Sequence, residues 1–208
     1  FTNKHSLLIH LGMTGNLRVS DNLSIGKHDH MAFSLSSKKH LIFNDVRRFG
    51  LVLILKDGEK INLLENNGPD PFEIDANHEY FHKKIEKSKS TIKSILLNSK
   101  IISGIGNIYA CEILFTSRIS PLKIGSSFTQ NECKTILKNS RKILKKAINA
   151  GGTTLNDYLN ADAKPGYFKI HLNVYGRESK DCRKCAQKIK RIVQNGRSTF
   201  FCSKCQLK

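Results

Sequence analysis

Apolar and polar positions alternate in short runs over the first third of the chain and then change period. Ser6–Leu11 is rich in apolar residues. In His30–Leu35, Met31, Phe33 and Leu35 alternate with His30, Ala32 and Ser34, the period-two pattern of a half-buried strand. Leu41–Phe43 and Leu51–Leu55 follow, separated by turn-prone segments such as Ser36-Ser37-Lys38-Lys39. Strands this short and this frequent predict a fragment of an antiparallel sandwich or barrel. Phe1-Thr2 ahead of Asn3-Lys4-His5 reads as the end of a strand entering a hairpin turn.

The pattern breaks at Asn66–Pro71, where Asn-Asn-Gly-Pro-Asp-Pro cannot continue a helix or a central strand. Beyond it the period is helical. Ile85, Ile92, Ile95, Leu96 and Leu97 fit one amphipathic helix ending near Asn98. Gly104-Ile105-Gly106-Asn107 predicts a turn leading into a second helix over about 107–117, and a longer helix spans 131–149. In that last helix Ile136, Leu137, Ile143, Leu144, Ala147 and Ile148 form a stripe, with Lys134, Lys138, Arg141, Lys142 and Lys145 mostly away from it. Gly151-Gly152 is the expected stop. The chain therefore reads as α+β, a partial antiparallel β-sandwich followed by helices and a cysteine-rich tail. The expected boundaries are 1–65 for the sandwich part, 66–72 for a linker, 73–177 for the helical domain and 178–208 for the tail.

Charge narrows the partner. Lys+Arg number 35 against 17 Asp+Glu, a net +18 over 208 residues. Such an excess either repels itself or meets a polyanion, and nucleic acid is the commonest one. The longest purely apolar run, Leu51–Leu55, is far short of the roughly 20 residues of a membrane span. Phe1–Leu11 has neither the basic start nor the small-residue cleavage site of a secretory leader. These features predict a soluble, intracellular, nucleic-acid-binding protein with no membrane partner.

Cys182-x-x-Cys185 and Cys202-x-x-Cys205 have the spacing of a four-thiolate zinc site. Between them, Lys188–Gln194 and Arg197–Phe201 read as strands joined by Asn195-Gly196, the favoured pair for a type I′ hairpin turn. Two disulfides of a secreted domain are the alternative. The missing leader and the distant Cys111 and Cys133 weigh against it. Four thiolates leave the ion no open position, so one zinc is expected here as a structural cofactor. Arg183, Lys184, Lys188, Lys190, Arg191, Arg197 and Lys204 surround it, either as a solvated basic face or as a DNA-contacting finger.

Three further groups carry possible chemistry. Gly104-Ile105-Gly106-Asn107 opens a helix whose N-terminal N–H groups suit a phosphate, although a plain helix–helix turn explains it equally well. Arg47-Arg48-Phe49 could hold phosphates while a ring enters a base stack; packing of Phe49 into the sandwich is the ordinary alternative. His28-Asp29-His30 places two imidazoles on one strand face, without a third metal ligand in view.

Read in order, several segments resemble one family. They are His10-Leu11-Gly12-Met13-Thr14-Gly15, Asp45-Val46-Arg47-Arg48-Phe49-Gly50, Gly104-Ile105-Gly106-Asn107-Ile108-Tyr109-Ala110 and Gly151-Gly152-Thr153-Thr154-Leu155. Lys164-Pro165-Gly166-Tyr167-Phe168, Val174-Tyr175-Gly176-Arg177 and the cysteine hairpin complete the set. The chain resembles bacterial formamidopyrimidine-DNA glycosylases from Ser6 to Gln206.

The resemblance implies base-excision repair of oxidised purines, 8-oxoguanine and formamidopyrimidines, in double-stranded DNA. It implies a glycosylase that is also an apurinic-site lyase, with a β-sandwich, a helix–two-turn–helix module and a zinc finger. Met13, Arg47 and Phe49 match the side chains that fill the gap left by the extruded base, with Arg47 facing the orphaned cytosine. His10, Asn107 and Arg197 match phosphate contacts, and Arg48 is a further one. The segment 151–175, with Lys164 and Tyr167, matches the loop over the damaged base. A monomer in the bacterial cytoplasm, associated with the nucleoid, is the expected state.

Val46 stands where the family often has proline, a change of local stiffness only. The family pattern opens with a proline nucleophile followed by glutamate, and an early hairpin lysine contacts DNA. All three fall in about sixty residues of the pattern ahead of Phe1. The resemblance thus implies that these 208 residues bind DNA without cleaving it. An endonuclease VIII-like pyrimidine glycosylase and a non-catalytic zinc-finger DNA-binding protein are the rival readings.

Overall fold

The computed structural model describes residues 1–12, 14–59, 66–153 and 168–207, and they fall into two compact units. The first comprises 1–61 and 147–170, the second 62–146 and 171–208.

Among the described residues of the first unit, five strands form two antiparallel sheets. β1 (Ser6–His10) pairs with β5 (Leu51–Leu55), with Leu8 opposite Leu53. β4 (His40–Asn44) lies between β2 (Asn16–Ser20) and β3 (Asp29–Ser34). The period-two reading located four of these strands within a residue or so at each end. It missed β2, where Asn16, Arg18 and Ser20 alternate with only two apolar residues, Leu17 and Val19. Of the apolar residues in these strands only Ile42 and Phe43, on the central β4, are buried. At the chain start, Lys4 N–H donates to the Phe1 carbonyl at 3.0 Å, closing the expected turn.

A polar knot supports the three-stranded sheet. The Arg18 guanidinium grips the Asp29 carboxylate with two bonds of 2.6 Å, and Asn44 Nδ2 and Gly26 N–H donate to the same carboxylate at 2.8 and 2.6 Å. His30 Nε2 lies 2.8 Å from the Asp45 carbonyl. Asp29 and His30 of the His28-Asp29-His30 trio therefore tie the sheet together. Among the described residues, the only group arranged to hold a metal is the four-cysteine cluster.

Among the described residues, the second unit contains four α-helices and a hairpin. α1 (His78–Ile85) is capped by Asn77, whose side chain accepts from Tyr80 N–H at 2.8 Å. α2 (Ile92–Leu96) and α3 (Asn107–Ser117) follow, and α4 runs over Gln130–Asn149. The single helix expected through Ile85 and Leu97 is instead two. Ser88–Ile92 runs beside Lys123–Ser126, with Gly125 N–H donating to Ser90 O at 3.0 Å and Ile92 N–H to Lys123 O at 2.7 Å. Ile85 and Ile92 are two helical turns apart, so the spacing is the same with or without the break. α3 agrees with expectation at both ends. α4 starts one residue early, on a capping box in which Thr129 and Glu132 exchange hydrogen bonds. Phe81, Ile85, Ile92, Leu96, Ile113, Leu114 and Ile136 are fully buried at the centre of this unit.

Asp29 is the testable knot. Arg18 holds its carboxyl well below the usual carboxylate range, with help from Gly26 and Asn44 and against the effect of burial. A depressed folded-state value stabilises the fold above the unfolded value of about 4 and is lost as pH falls below it. Asp29→Ala is expected to cost about 2–4 kcal/mol at neutral pH, because it leaves the Arg18 charge without its partner. Urea unfolding should show the deficit at pH 7 and a smaller one at pH 3; equal midpoints at pH 7 would overturn this.

Candidate nucleic-acid interface and metal centre

The two loops that carry candidate residues in the first unit are fastened to each other. Gly12, at φ 63°, lies so close to the second loop that a Cβ there would come within 2.7 Å of the Phe49 carbonyl carbon. Thr14 Oγ1 donates to the Asp45 carboxylate at 2.5 Å, and Arg47 N–H donates to Thr14 Oγ1 at 3.2 Å. Asp45 is fully buried and also accepts from Gly50 N–H at 2.7 Å and Arg47 N–H at 3.2 Å. The Thr14 hydroxyl first, then these backbone donors, hold its carboxyl below the usual range despite burial. One carboxylate thus shapes residues 45–50.

That shape presents Phe49 outward at 58% exposure, so the ring does not pack into the sandwich. The Arg47 guanidinium lies over it, 4.7 Å from the ring centre. Arg48 takes the left-handed region at φ 56° and borders a cavity of about 310 Å³ with His30, Asp45 and Gly50. His10 Nδ1 accepts from Gly12 N–H at 3.1 Å, which leaves the Nε2 proton of the neutral ring as a donor. His10, Arg47, Arg48 and Phe49 are therefore neighbours on two coupled loops. Met13 lies outside the described residues, as do Lys164, Tyr167 and most of the 151–175 loop.

In the second unit, Asn107 opens α3. Gly106 is the N-cap and provides no side-chain cap; a Cβ there would meet nothing within 4 Å. The N-terminus of a helix without a side-chain cap is the arrangement that favours an anion. Asn107 Nδ2 donates to Ser198 O at 3.1 Å and lies 3.5 Å from the Tyr175 hydroxyl, while its Oδ1 is buried without a hydrogen bond. Lys93, on α2, is also buried and donates Nζ to the same Ser198 carbonyl at 3.1 Å. Burial is the main reason its pKa falls, and the nearby Arg197 charge adds to that. Ser198 follows Arg197 directly, so Asn107 and Arg197 are brought together through one strand.

Arg197 starts β7 (Arg197–Phe201), which pairs with β6 (Lys190–Gln194). Asn195 and Gly196 both take positive φ, 49° and 71°, as a type I′ turn requires. At the base of the hairpin the Sγ atoms of Cys182, Cys185, Cys202 and Cys205 all lie within 4.8 Å of one another. Cys182–Cys205 and Cys185–Cys202 separations are 3.9 and 3.5 Å. Tetrahedral zinc with bonds near 2.3 Å needs sulfurs about 3.8 Å apart, and disulfides would need about 2.05 Å. The residues fit one structural zinc.

Two supports escaped sequence reasoning. Glu112, 2% exposed on α3, accepts from the backbone N–H groups of Asn173, Val174 and Tyr175 at 2.8–3.0 Å. Lys93 is the other. Each is a lone charge in an apolar stretch, Ala110–Phe115 and Ile92–Leu96, and that was the available signal.

Three family models match the chain. Residues 1–52 match the formamidopyrimidine-DNA glycosylase N-terminal domain, 67–158 the H2TH domain of the same enzymes, and 179–207 the zinc finger found in FPG and IleRS. The formamidopyrimidine-DNA glycosylase of Rickettsia felis is 44% identical over 209 residues, covering 99% of this chain and 75% of that protein. This chain belongs to the formamidopyrimidine-DNA glycosylase family. A second family member, from Wolbachia pipientis of Culex pipiens, is 45% identical over 97% of this chain and 74% of its own length. Among solved glycosylase structures, MutM (Fpg) of Thermus thermophilus superposes with a TM-score of 0.88 at 36% identity, covering 98% of this chain and 76% of its own. The Lactococcus lactis enzyme in complex with abasic-site DNA gives 0.88 at 31% identity, with the same coverage.

A chelator that strips the family's zinc is expected to release one ion per chain and to abolish slow amide exchange in β6 and β7. Metal analysis with hydrogen exchange reads both; a hairpin that stays protected without metal would show that the four thiolates do not hold it.

Proposed function

We infer that this chain belongs to a base-excision repair DNA glycosylase and apurinic-site lyase for oxidised purines in duplex DNA, and that these 208 residues, which do not hold the family's proline nucleophile, bind DNA without cleaving it. The observation that carries the reading is the N-terminus of α3, which has no side-chain cap, with Asn107 bonded to the Ser198 carbonyl next to Arg197. A helix end and a guanidinium on one strand suit two backbone phosphates. The outward Phe49 ring under Arg47 supports the second half of the reading, a wedge for a helix from which a base has been removed.

Extruding a base costs a few kcal/mol of unstacking, least at a damaged pair, and a ring filling the gap offsets it. Phe49, with Met13, takes that place. Arg47 hydrogen-bonds the orphaned cytosine, which discriminates between partner bases by roughly 1–3 kcal/mol. His10 offers its Nε2 proton to a phosphate, and Arg48 is a further phosphate ligand. The loop containing Lys164 and Tyr167 closes over the lesion. On the division 1–65, 73–177 and 178–208, the wedge and the phosphate contacts of His10 and Arg48 fall in the first part, and those of Asn107 and Arg197 in the other two. The protein acts as a monomer in the bacterial cytoplasm, at the nucleoid; among the described residues no helix is long and apolar enough to cross a membrane.

Arg197→Ala is expected to weaken binding to an 8-oxoguanine:cytosine duplex and to lower the slope of log K against log salt by about 0.9, one phosphate contact. Equal slopes would remove Arg197 from the interface. The nucleophile is tested separately. The family's proline is not among these 208 residues. Borohydride is therefore expected to trap no adduct with the 208-residue polypeptide, and to trap one when the family's proline-led segment precedes it. Trapping by the 208 residues alone would move the nucleophile to one of their own amines.

A further inference from the structure

The outer face of α4 is a charge feature that the lesion site does not use. Its buried arc comprises Cys133, Ile136, Leu137, Ser140, Ile143 and Leu144. At 3.6 residues per turn, Lys134, Lys138, Lys142, Lys145 and Lys146 fall within about 120° of arc centred opposite that face. All five are exposed. Arg141, at the edge of the lysine arc, is already used: its Nε and Nη2 donate to Pro71 O and Ala76 O at 2.6 and 2.9 Å. The helix contains a single acid, Glu132, and that one is paired with Lys123 at 2.6 Å.

Solvated helix faces ordinarily mix signs, since like charges four residues apart destabilise a helix and Glu–Lys pairs support it. Here the ridge has no carboxylate, and among the described residues no acid pairs with any of its lysines. It runs about 18 Å along the helix, and a duplex of that length carries about ten phosphate charges. Lysine, a flexible point charge without a planar fork, suits backbone tracking better than base readout.

We propose that this lysine face is a second, sequence-independent contact surface for duplex DNA, additional to the Asn107–Arg197 site. It rests on the reading of the chain as a DNA-repair protein, and adds a surface that grips undamaged duplex during search. The lesion site reads one nucleotide, whereas the α4 ridge adds salt-sensitive affinity for any sequence.

The test is the quadruple variant Lys134→Gln, Lys138→Gln, Lys142→Gln, Lys145→Gln, which keeps helix propensity. On an undamaged 40-base-pair duplex its slope of log K against log salt is expected to fall by about 2–4. The ratio of affinities for lesion and undamaged 13-base-pair duplexes is expected to stay unchanged, as are zinc content and the melting temperature. The matching quadruple arginine variant should restore the slope. An unchanged slope in the glutamine variant would overturn the proposal and leave a solvated face, or one for an acidic protein. Loss of the lesion ratio in the same variant would also overturn it, by merging the ridge with the lesion site. Failure of the underlying repair reading looks different: the unsubstituted chain would show no lesion preference and Arg197→Ala would change nothing, whatever α4 does.

Discussion

A carboxylate removed from water persists only where protein donors fill its oxygens, and in the second unit Glu112 meets that condition with backbone alone and one amide. Three consecutive N–H groups, from Asn173, Val174 and Tyr175, converge on it, with Asn173 Nδ2 at 3.0 Å. This fixes the chain just before the metal hairpin. Val174 is fully buried, and the Tyr175 ring meets Phe200 edge-on at 4.9 Å. Phe200 shares a cluster with Cys111 and Phe115 of α3 and with the zinc ligands Cys182 and Cys202. The helix that opens at Asn107 therefore also seats the metal hairpin, and the Tyr175 hydroxyl returns to within 3.5 Å of Asn107. Take the Glu112 acceptor away, and three backbone donors lose their partner at the joint on which both depend.

Asp45 does the same work in the first unit by different geometry. Glu112 gathers three consecutive N–H groups of a bend beside a helix; Asp45 gathers donors from both ends of a loop. Both use a charged acceptor, whose hydrogen bonds are about twice as strong as neutral ones, to specify backbone that has no regular ladder of its own. Arg48 at positive φ shows what this achieves, since a non-glycine residue there needs surroundings that over-determine it.

Much of the fold was legible because burial and period coincide. α3, α4, the Asn195-Gly196 hairpin and the cysteine spacing each follow from a local rule that tertiary contacts did not override. The break between α1 and α2 was not legible, because Ile85 and Ile92 keep helical phase across it and the cause, Lys123–Ser126, is more than thirty residues away in sequence. β2 was missed because an edge strand with two apolar residues carries little pattern. At the site, Cys182, Cys185, Cys202 and Cys205 could be read from spacing, since metal ligation demands it. Asn107, Arg197 and Arg47 stood out locally, each with an ordinary alternative, and took their roles only from the resemblance: nothing in the spacing of Asn107 and Arg197 foretells that they meet at Ser198. Lys93 and Glu112 left a signal, a charge inside an apolar run, whose meaning depends on which carbonyl or amide lies opposite.

The exposure of Phe49 follows from the same economy of acceptors. Burying such a ring would contribute about 1.5–3 kcal/mol. The backbone that carries it is held on either side, at Arg47 and Gly50, by N–H groups donating to Asp45, and a buried carboxylate stripped of those donors would cost more than the ring would gain. Arg47 then lies across the ring and shields one face. On the proposed reading this matters for mechanism: a wedge already held outward enters the stack without first paying to leave a core, so more of the binding energy remains to hold the base outside the helix.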